Sequence, residues 1–309
     1  MKVKDTLIVV VGPTASGKSE LAVKIAKKVD GEIISADSRQ IYKGLDIGSG
    51  KVPGRWVNIK RGAKNKKVFL YKNIPHYLID EASPRTQYSV AKFQKNARGT
   101  IADIFKRGKT PIICGGTGHW VDAVVFGQAL PEVKPDSKLR AKLSHLTTPN
   151  LYKLLQNLDP ARASEIDSQN PRRLVRALEI VMSTGKPVPK SGDKLKIYQN
   201  FDKLQIKWIG LNPGMAVLEK KIKRRLQARF KEGMLQEVET LHKNGLSWKK
   251  LESFGLEYKF CALYLQKKIS KTEMELLLYT AIRQYSKRQM TWWKRNPNIK
   301  WFGDAKKAL

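Results

Sequence analysis

The octapeptide Gly12-Pro13-Thr14-Ala15-Ser16-Gly17-Lys18-Ser19 follows directly on the apolar run of residues 7–11 and precedes a helix-compatible segment over residues 20–29. It satisfies G-x-x-x-x-G-K-[ST] with the strand before it and the helix after it that the motif requires, so it reads as a phosphate-binding P-loop. Glycine lets the backbone curl until successive N–H groups point inward, and the helix beginning near Gly17 adds the positive end of its dipole. Lys18 then reaches outer phosphate oxygens and Ser19 can hold a magnesium ion. A Gly/Ser turn that binds nothing is the competing explanation, and it leaves the fully matched context unaccounted for. The expected fold class is α/β: a P-loop NTPase-like parallel sheet flanked by helices, carrying an inserted all-helical domain.

Charge is the second constraint. Sixty Lys and Arg against 27 Asp and Glu leave a formal net charge of +33, spread along all 309 residues. That excess points to a polyanionic partner, although a generally basic proteome would account for part of it. No apolar run approaches the roughly 18 residues needed to span a bilayer, and residues 7–11 are too short for a signal-peptide core, so no membrane association is expected and the cytoplasm is the expected compartment. Two cysteines, Cys114 and Cys261, are too few for a disulfide framework or a zinc site and are expected to be core thiols.

Along the chain, residues 32–37 form a short apolar strand that delivers Asp37 at its carboxyl end, where ligands bind in open α/β sheets. Asp37 is therefore a candidate for chemistry, for magnesium ligation, or for capping the next turn. Residues 38–51 make a Gly-punctuated polar loop. Residues 56–72 alternate as a basic hairpin around a tip at 62–67, which suits either RNA backbone or plain solvent. A strand ends over 76–80, with His76 read as structural. Residues 89–106 predict an amphipathic helix with Val90, Phe93, Ala97, Ile101 and Ile104 on its apolar face. A strand over 110–114 runs into Gly115-Gly116-Thr117-Gly118, either a close backbone approach to a ligand or a tight turn.

Residues 131–192 change to proline-punctuated helical segments, which divides the chain into a core of 1–130 and 193–309 and a helical insertion. A helix starting at Asn170 carries Arg172, Arg173 and Arg176 in its first turns, suited to phosphate contacts. Residues 205–211 return to the first sheet, a strongly basic helix follows over 219–230, and the last third is helical. Over 279–294, Arg283, Lys287, Arg288 and Lys294 interleave with Tyr285, Trp292 and Trp293, as on a nucleic-acid surface, with one of the two tryptophans expected in the core.

Taken together, the P-loop, the 34–51 segment Ile-Ser-Ala-Asp-Ser-Arg-Gln-Ile-Tyr-Lys-Gly-Leu-Asp-Ile-Gly-Ser-Gly-Lys, Pro-His-Tyr-Leu-Ile-Asp at 75–80, Gly-Gly-Thr-Gly at 115–118 and Lys-Arg-Gln-Met-Thr-Trp at 287–292 resemble the bacterial tRNA dimethylallyltransferases, or tRNA isopentenyltransferases, nearly end to end. The resemblance implies transfer of a dimethylallyl group from dimethylallyl pyrophosphate to the exocyclic amine of the adenosine 3′-adjacent to the anticodon. The products are N6-dimethylallyladenosine and pyrophosphate. It implies that Gly12, Pro13, Thr14, Ala15, Ser16, Gly17, Lys18 and Ser19 with Mg2+ hold the pyrophosphate, that Arg229 is a second pyrophosphate clamp and that Asp37 is the general base. Thr117 corresponds to the residue contacting the target nucleotide. The tRNA-contacting set is Asp37, Ser38, Arg39, Gln40 and Thr117, Arg140, Arg172, Arg173 and Arg176 of the insertion, and Lys287 and Arg288. The target base must leave the anticodon stack, and a monomer is expected.

Two departures stand out. Glu257 occupies a segment that is basic in many members, and the hairpin at 56–72 is longer than the usual link and has no family role. A P-loop kinase, an isopentenyltransferase acting on free adenine nucleotide, and an RNA-binding NTPase without transfer activity would share the P-loop; only the charge and the insertion argue against them.

Overall fold

The computed structural model describes residues 6–61, 64–131, 133–189 and 204–309. By chain contacts these form two compact units, residues 1–124 with 202–309, and residues 125–201.

The first unit is organised by an eight-stranded sheet of order β3-β4-β5-β2-β6-β1-β7-β8. Strand β1 (Thr6–Val11) is buried at every position, and lies between β6 (Thr110–Gly115) and β7 (Gln205–Leu211), parallel to both. A continuous β-branched run is what a strand covered on both faces requires. Beyond β6, β2 (Gly31–Ser35) and β5 (Ile74–Tyr77) continue the parallel sheet. The hairpin of β3 (Arg55–Arg61) and β4 (Lys64–Tyr71) extends it antiparallel to that edge. Lys64, Asn65, Lys66 and Lys67, expected at the hairpin tip, belong instead to β4; Gly62 and Ala63 lie outside the described residues.

Helix α1 (Lys18–Val29) packs Leu21, Ala22, Ile25 and Ala26 on Ile8, Val10, Ile33 and Ile112 of the sheet. Helix α2 (Val90–Lys106) begins where Ser89 accepts the Lys92 N–H, and buries Phe93, Ala97, Ile101 and Ile104; Val90, in the first turn, is only half-buried. Helix α3 (Gly118–Phe126) follows the glycine-rich turn after β6.

The second unit holds α4 (Ser137–Ser144), α5 (Thr148–Leu158), α6 (Pro160–Glu165) and α7 (Pro171–Thr184) around Leu143, Leu151, Leu155, Leu174 and Leu178. Pro149, Pro160 and Pro171 punctuate this region because each sits in the first turn of a helix, where its missing N–H costs nothing. The buried carboxylate of Glu179 accepts a two-pronged contact from Arg140 at 2.8 and 2.8 Å, the Asp136 N–H at 2.7 Å and an Arg176 guanidinium hydrogen bond.

The chain re-enters the first unit through β7. Helices α8 (Met215–Lys231), α9 (Met234–Lys243), α10 (Trp248–Ser253), α11 (Leu256–Leu265) and α12 (Lys271–Trp293) follow. A three-residue strand the sequence did not signal, β8 (Lys300–Phe302), pairs parallel with β7 and closes the far edge. It is too short for any periodicity to register. Among the described residues, no helix is long and apolar enough to cross a membrane.

Burial opposes ionisation of Glu179, but the hydrogen bonds from Arg140, Asp136 and Arg176 outweigh it and hold its pKa at about 2, down from 4.5. A depressed carboxylate stabilises the fold above its unfolded pKa and loses that contribution as pH falls through the folded value. Glu179→Gln is therefore expected to cost the helical unit roughly 3 kcal/mol at neutral pH, because it leaves two guanidinium groups without their shared anion. In thermal melts between pH 7 and pH 2, the wild-type chain should lose the difference between about pH 4.5 and 2, converging on the variant.

Candidate active site

The P-loop lies at the carboxyl end of β1, between that strand and α1. Gly12 has φ +150°, and a Cβ there would stand 2.5 Å from the Leu211 carbonyl oxygen, so only glycine lets the loop pass so close to β7. The loop is pinned from the other end of the chain: Gln289 on α12 accepts the Thr14 N–H at 2.8 Å through Oε1 and donates to the Gly116 carbonyl at 2.9 Å through Nε2. One amide thus ties the P-loop to the glycine-rich turn after β6. A Cβ on Gly116 would stand 2.3 Å from that Nε2, so a larger residue there would displace the Gln289 amide from its bridging position.

Two cations meet at this loop. Lys18 donates to the Pro13 carbonyl at 3.3 Å, and Arg225 on α8 donates to the Thr14 hydroxyl at 2.6 Å. Burial pushes both pKa values down: Lys18 falls despite the nearby Cys114 and Asp37, and Arg225 falls to about 10, with Arg229 adding to the effect while Glu257 and Asp37 oppose it. Lys18, Ser19, Thr14 and Arg225 line a cavity together with Asp37 and Gln40, and its lining also includes Ala22, Ile33, Val52 and His76. Desolvated positive charge converging on a backbone cradle is the electrostatic signature of an anion site.

Asp37 lies two residues beyond β2. Its Oδ1 accepts the Arg39 N–H at 2.8 Å and the Gln40 N–H at 3.4 Å, so it caps its own turn and faces the cavity as well. The Thr117 hydroxyl accepts the Ser38 N–H at 3.2 Å, and the Thr117 N–H donates to Ala36 at 3.3 Å. The turn after β6 is in this way docked on the turn after β2. Gln40 reaches across the cavity rim to the Gly50 carbonyl at 3.2 Å, and the Arg39 guanidinium lies 5.9 Å from the centre of the Phe254 ring.

Arg229 lies against Gly50, which lines the cavity. Buried, it donates to the Gly48 carbonyl at 3.1 Å and to Glu257 at 2.7 Å. The guanidinium of α8 that reaches the P-loop is Arg225, one turn earlier; the two share a helix face at i, i+4, a spacing legible in the sequence. Glu257 is thus an internal partner of Arg229, buried and turned away from any RNA-facing role. Beside them Glu237 accepts the N–H groups of Asp46, Ile47 and Gly48 at 3.0, 2.6 and 3.1 Å and the Tyr258 hydroxyl at 2.8 Å. This carboxylate fastens the loop that carries Ser49 and Gly50 to the cavity.

Cys114 is a core thiol, as expected: buried at the end of β6, it packs in the core under α1 and also lines the cavity, and burial pushes its thiol up to about 11, too high for reactivity at neutral pH. Cys261 is a core thiol, as expected, at about 12. Of the two tryptophans on α12, Trp293 is core, and Trp292 is half-buried, donating to Asp122 at 2.9 Å. Lys287 and Arg288 are exposed on the same helix, with Arg288 lying 5.8 Å from the centre of the Tyr285 ring. Arg140, Arg172, Arg173 and Arg176 belong to the helical unit, where Arg140 and Arg176 hold Glu179 while Arg172 and Arg173 are exposed at the start of α7.

A strand-loop-helix anion cradle at the carboxyl edge of a mostly parallel sheet defines a P-loop α/β protein. The IPP transferase family matches residues 40–296, and the isopentenyl transferase family matches residues 5–61. A tRNA dimethylallyltransferase of Carboxydothermus hydrogenoformans is 38% identical over 99% of this chain and 94% of its own, and one of Treponema denticola is 41% identical over 94% and 92%. Among solved structures, the full-length tRNA isopentenylpyrophosphate transferase of Bacillus halodurans superposes with a TM-score of 0.66 at 32% identity, covering 97% of this chain and 90% of that one. A eukaryotic dimethylallyltransferase captured acting on tRNA gives 0.73 at 25% identity, over 97% and 74%. The chain belongs to the tRNA dimethylallyltransferase family of prenyltransferases.

If Lys18 and Arg225 both face the bound anion, Lys18→Met and Arg225→Met should each weaken pyrophosphate binding in calorimetry by about 10- to 100-fold, the loss of a charge-assisted hydrogen bond of roughly 1.5–3 kcal/mol. Equal affinity in Arg225→Met would remove that side chain from the anion site.

Proposed function

We propose that this enzyme transfers the dimethylallyl group of dimethylallyl pyrophosphate to the exocyclic amine of the adenosine 3′-adjacent to the anticodon in tRNA. The observation that carries this reading is the placement of two desolvated cations, Lys18 and Arg225, on a P-loop whose cavity also contains the carboxylate of Asp37. The cradle suits the pyrophosphate and the carboxylate suits the proton that must leave the attacking amine.

In the reaction the bond between the allylic carbon and the pyrophosphate oxygen breaks, a bond from that carbon to the adenine nitrogen forms, and the amine proton goes to Asp37. Negative charge grows on the departing pyrophosphate, where Lys18, Arg225 and the P-loop N–H groups stabilise it. Asp37 is already oriented by the Arg39 N–H, so accepting a proton needs no reorganisation of its turn. Thr117, through Ser38, holds the two turns that flank the incoming base. The Ala22, Ile33 and Val52 wall excludes water that would otherwise compete for the allylic carbon.

Magnesium fits this donor set. The Ser19 hydroxyl lines the cavity beside the anion cradle, and Mg2+ is commonly held by one or two protein oxygens plus phosphate oxygens, so no dedicated cluster is needed. The ion would neutralise charge on the leaving group. Arg229, through Gly48, supports the cavity rim from behind. The net charge of +33, Ser38, Arg39 and Gln40 at the rim, exposed Lys287 and Arg288, and the helical unit with Arg140, Arg172, Arg173 and Arg176 supply phosphate contacts for the tRNA. The proposed division is a catalytic core of 1–130 and 193–309 with 131–192 as the tRNA-gripping insertion, acting as a cytoplasmic monomer.

Incubation with Mg2+, radiolabelled dimethylallyl pyrophosphate and either an unmodified anticodon stem-loop or free AMP tests the reading. Label is expected in the RNA; label in AMP alone, or ATP turnover with no label in either, would replace it by free-nucleotide prenylation or by an NTPase. Asp37→Ala is expected to leave stem-loop affinity nearly intact and slow single-turnover transfer by roughly 100-fold or more.

A further inference from the structure

The β3–β4 hairpin has a place in the fold and none in the chemistry above. Residues 55–72 contain seven Lys and Arg and no Asp or Glu. Cross-strand partners share a face, so the register sorts the side chains into two sets. One set is Val57 opposite Val68, Ile59 opposite Lys66 and Arg55 opposite Leu70; Val68 is 2% exposed, and Val57, Ile59 and Leu70 are half-buried. This is the anchored face. The other set is Trp56 opposite Phe69, Asn58 opposite Lys67 and Lys60 opposite Asn65. Apart from Phe69 this second face is exposed, with Trp56 at 38%, and it carries two cations, two amides and an indole.

That face is joined to the cavity wall through two buried rings. Phe69 pairs in register with His76, which lines the cavity, and their rings lie 6.5 Å apart. Trp56 packs edge-on against Phe69 at 5.5 Å, and the Lys67 ammonium lies 5.7 Å from the Trp56 ring centre. The covalent link is equally short, since Val52 lines the cavity and β3 begins at Arg55. A file of side chains, His76, Phe69, Trp56 and Lys67, thus runs from the cavity wall to the outer hairpin, its first two members buried and its last two exposed.

β3 is the edge strand of the sheet, and lysines there guard against pairing with another chain. That role needs charge alone. An exposed indole beside a lysine and two asparagines, with no carboxylate on the face, is instead the composition of a surface for single-stranded nucleic acid: cations for phosphates, amides for phosphate and sugar oxygens, a ring for an unstacked base.

We propose that the outer face of the hairpin, Trp56, Asn58, Lys60, Asn65 and Lys67, is a second RNA-contact surface that holds the unpaired strand flanking the target adenosine. The proposal rests on the tRNA-modifying reading above. Its test is tRNA binding, followed by fluorescence anisotropy across a salt series, alongside transfer kinetics. Lys60→Ser/Lys67→Ser is expected to reduce the slope of log affinity against log salt by about 1.4, at about 0.7 per single-strand phosphate contact, and to weaken tRNA about tenfold near 0.15 M salt. Trp56→Ala should weaken it while leaving the slope in place, and Lys60→Arg/Lys67→Arg should preserve both, with the KM for dimethylallyl pyrophosphate unmoved throughout. An unchanged slope and affinity in the serine variant would overturn the assignment. So would loss of binding to phosphatidylserine vesicles with tRNA binding intact, which would make the face a membrane surface. Wild-type protein that binds tRNA through this hairpin yet transfers no label would sink the enzymatic reading and leave the surface standing.

Discussion

Holding two cations next to each other out of water is the constraint around which the first unit is arranged. Lys18 and Arg225 lose hydration at the P-loop, and Asp37 is the carboxylate that lines the cavity with them, where one carboxylate cannot neutralise both. Such a site is electrostatically incomplete without an anion. The fold bears the cost because the strain is relieved when pyrophosphate enters and is relieved further as charge builds on it during bond breaking. Ground-state binding and transition-state stabilisation use the same groups, with the larger gain falling where charge is greatest.

Keeping the cations in place takes contacts from distant parts of the chain. Gln289 on α12 joins the loop after β1 to the turn after β6; Arg225 arrives from α8; Thr117 ties the turn after β6 to that after β2. Three strand ends are thereby locked to one another by hydrogen bonds with little local content. Behind them a second ionic layer, Arg229 with Glu257 and Glu237 with the 46–48 backbone, fixes the loop at the rim. Glu237 completes three backbone N–H groups that would otherwise form an anion nest, so charge there is satisfied internally and the open anion site stays at the P-loop.

The helical unit solves a related problem differently. Glu179 is fully buried and its negative charge is matched by Arg140 and Arg176, whose outer surfaces remain partly exposed. Two of the four insertion arginines that the family resemblance assigns to tRNA are thus pre-oriented by a carboxylate beneath them. An arginine held on one side by a buried partner loses less side-chain freedom when it meets a phosphate on the other.

What the sequence determined by itself was everything governed by local rules. The P-loop was legible because its geometry needs glycine and lysine at set intervals, the central strands because buried parallel strands carry short apolar runs such as residues 7–11, and the helix starts because Ser89, Asn170 and the prolines act within a single turn. Asp37 was legible as the residue at a strand's carboxyl end. Only the tertiary structure decided which arginine of α8 reaches the P-loop, that Gln289 is the bridge, that Glu257 faces inward to Arg229, and that β8 exists at all. Those outcomes depend on contacts between residues 14 and 289, 48 and 229, or 210 and 301, and no periodicity within a window of a dozen residues encodes a partner so far along the chain.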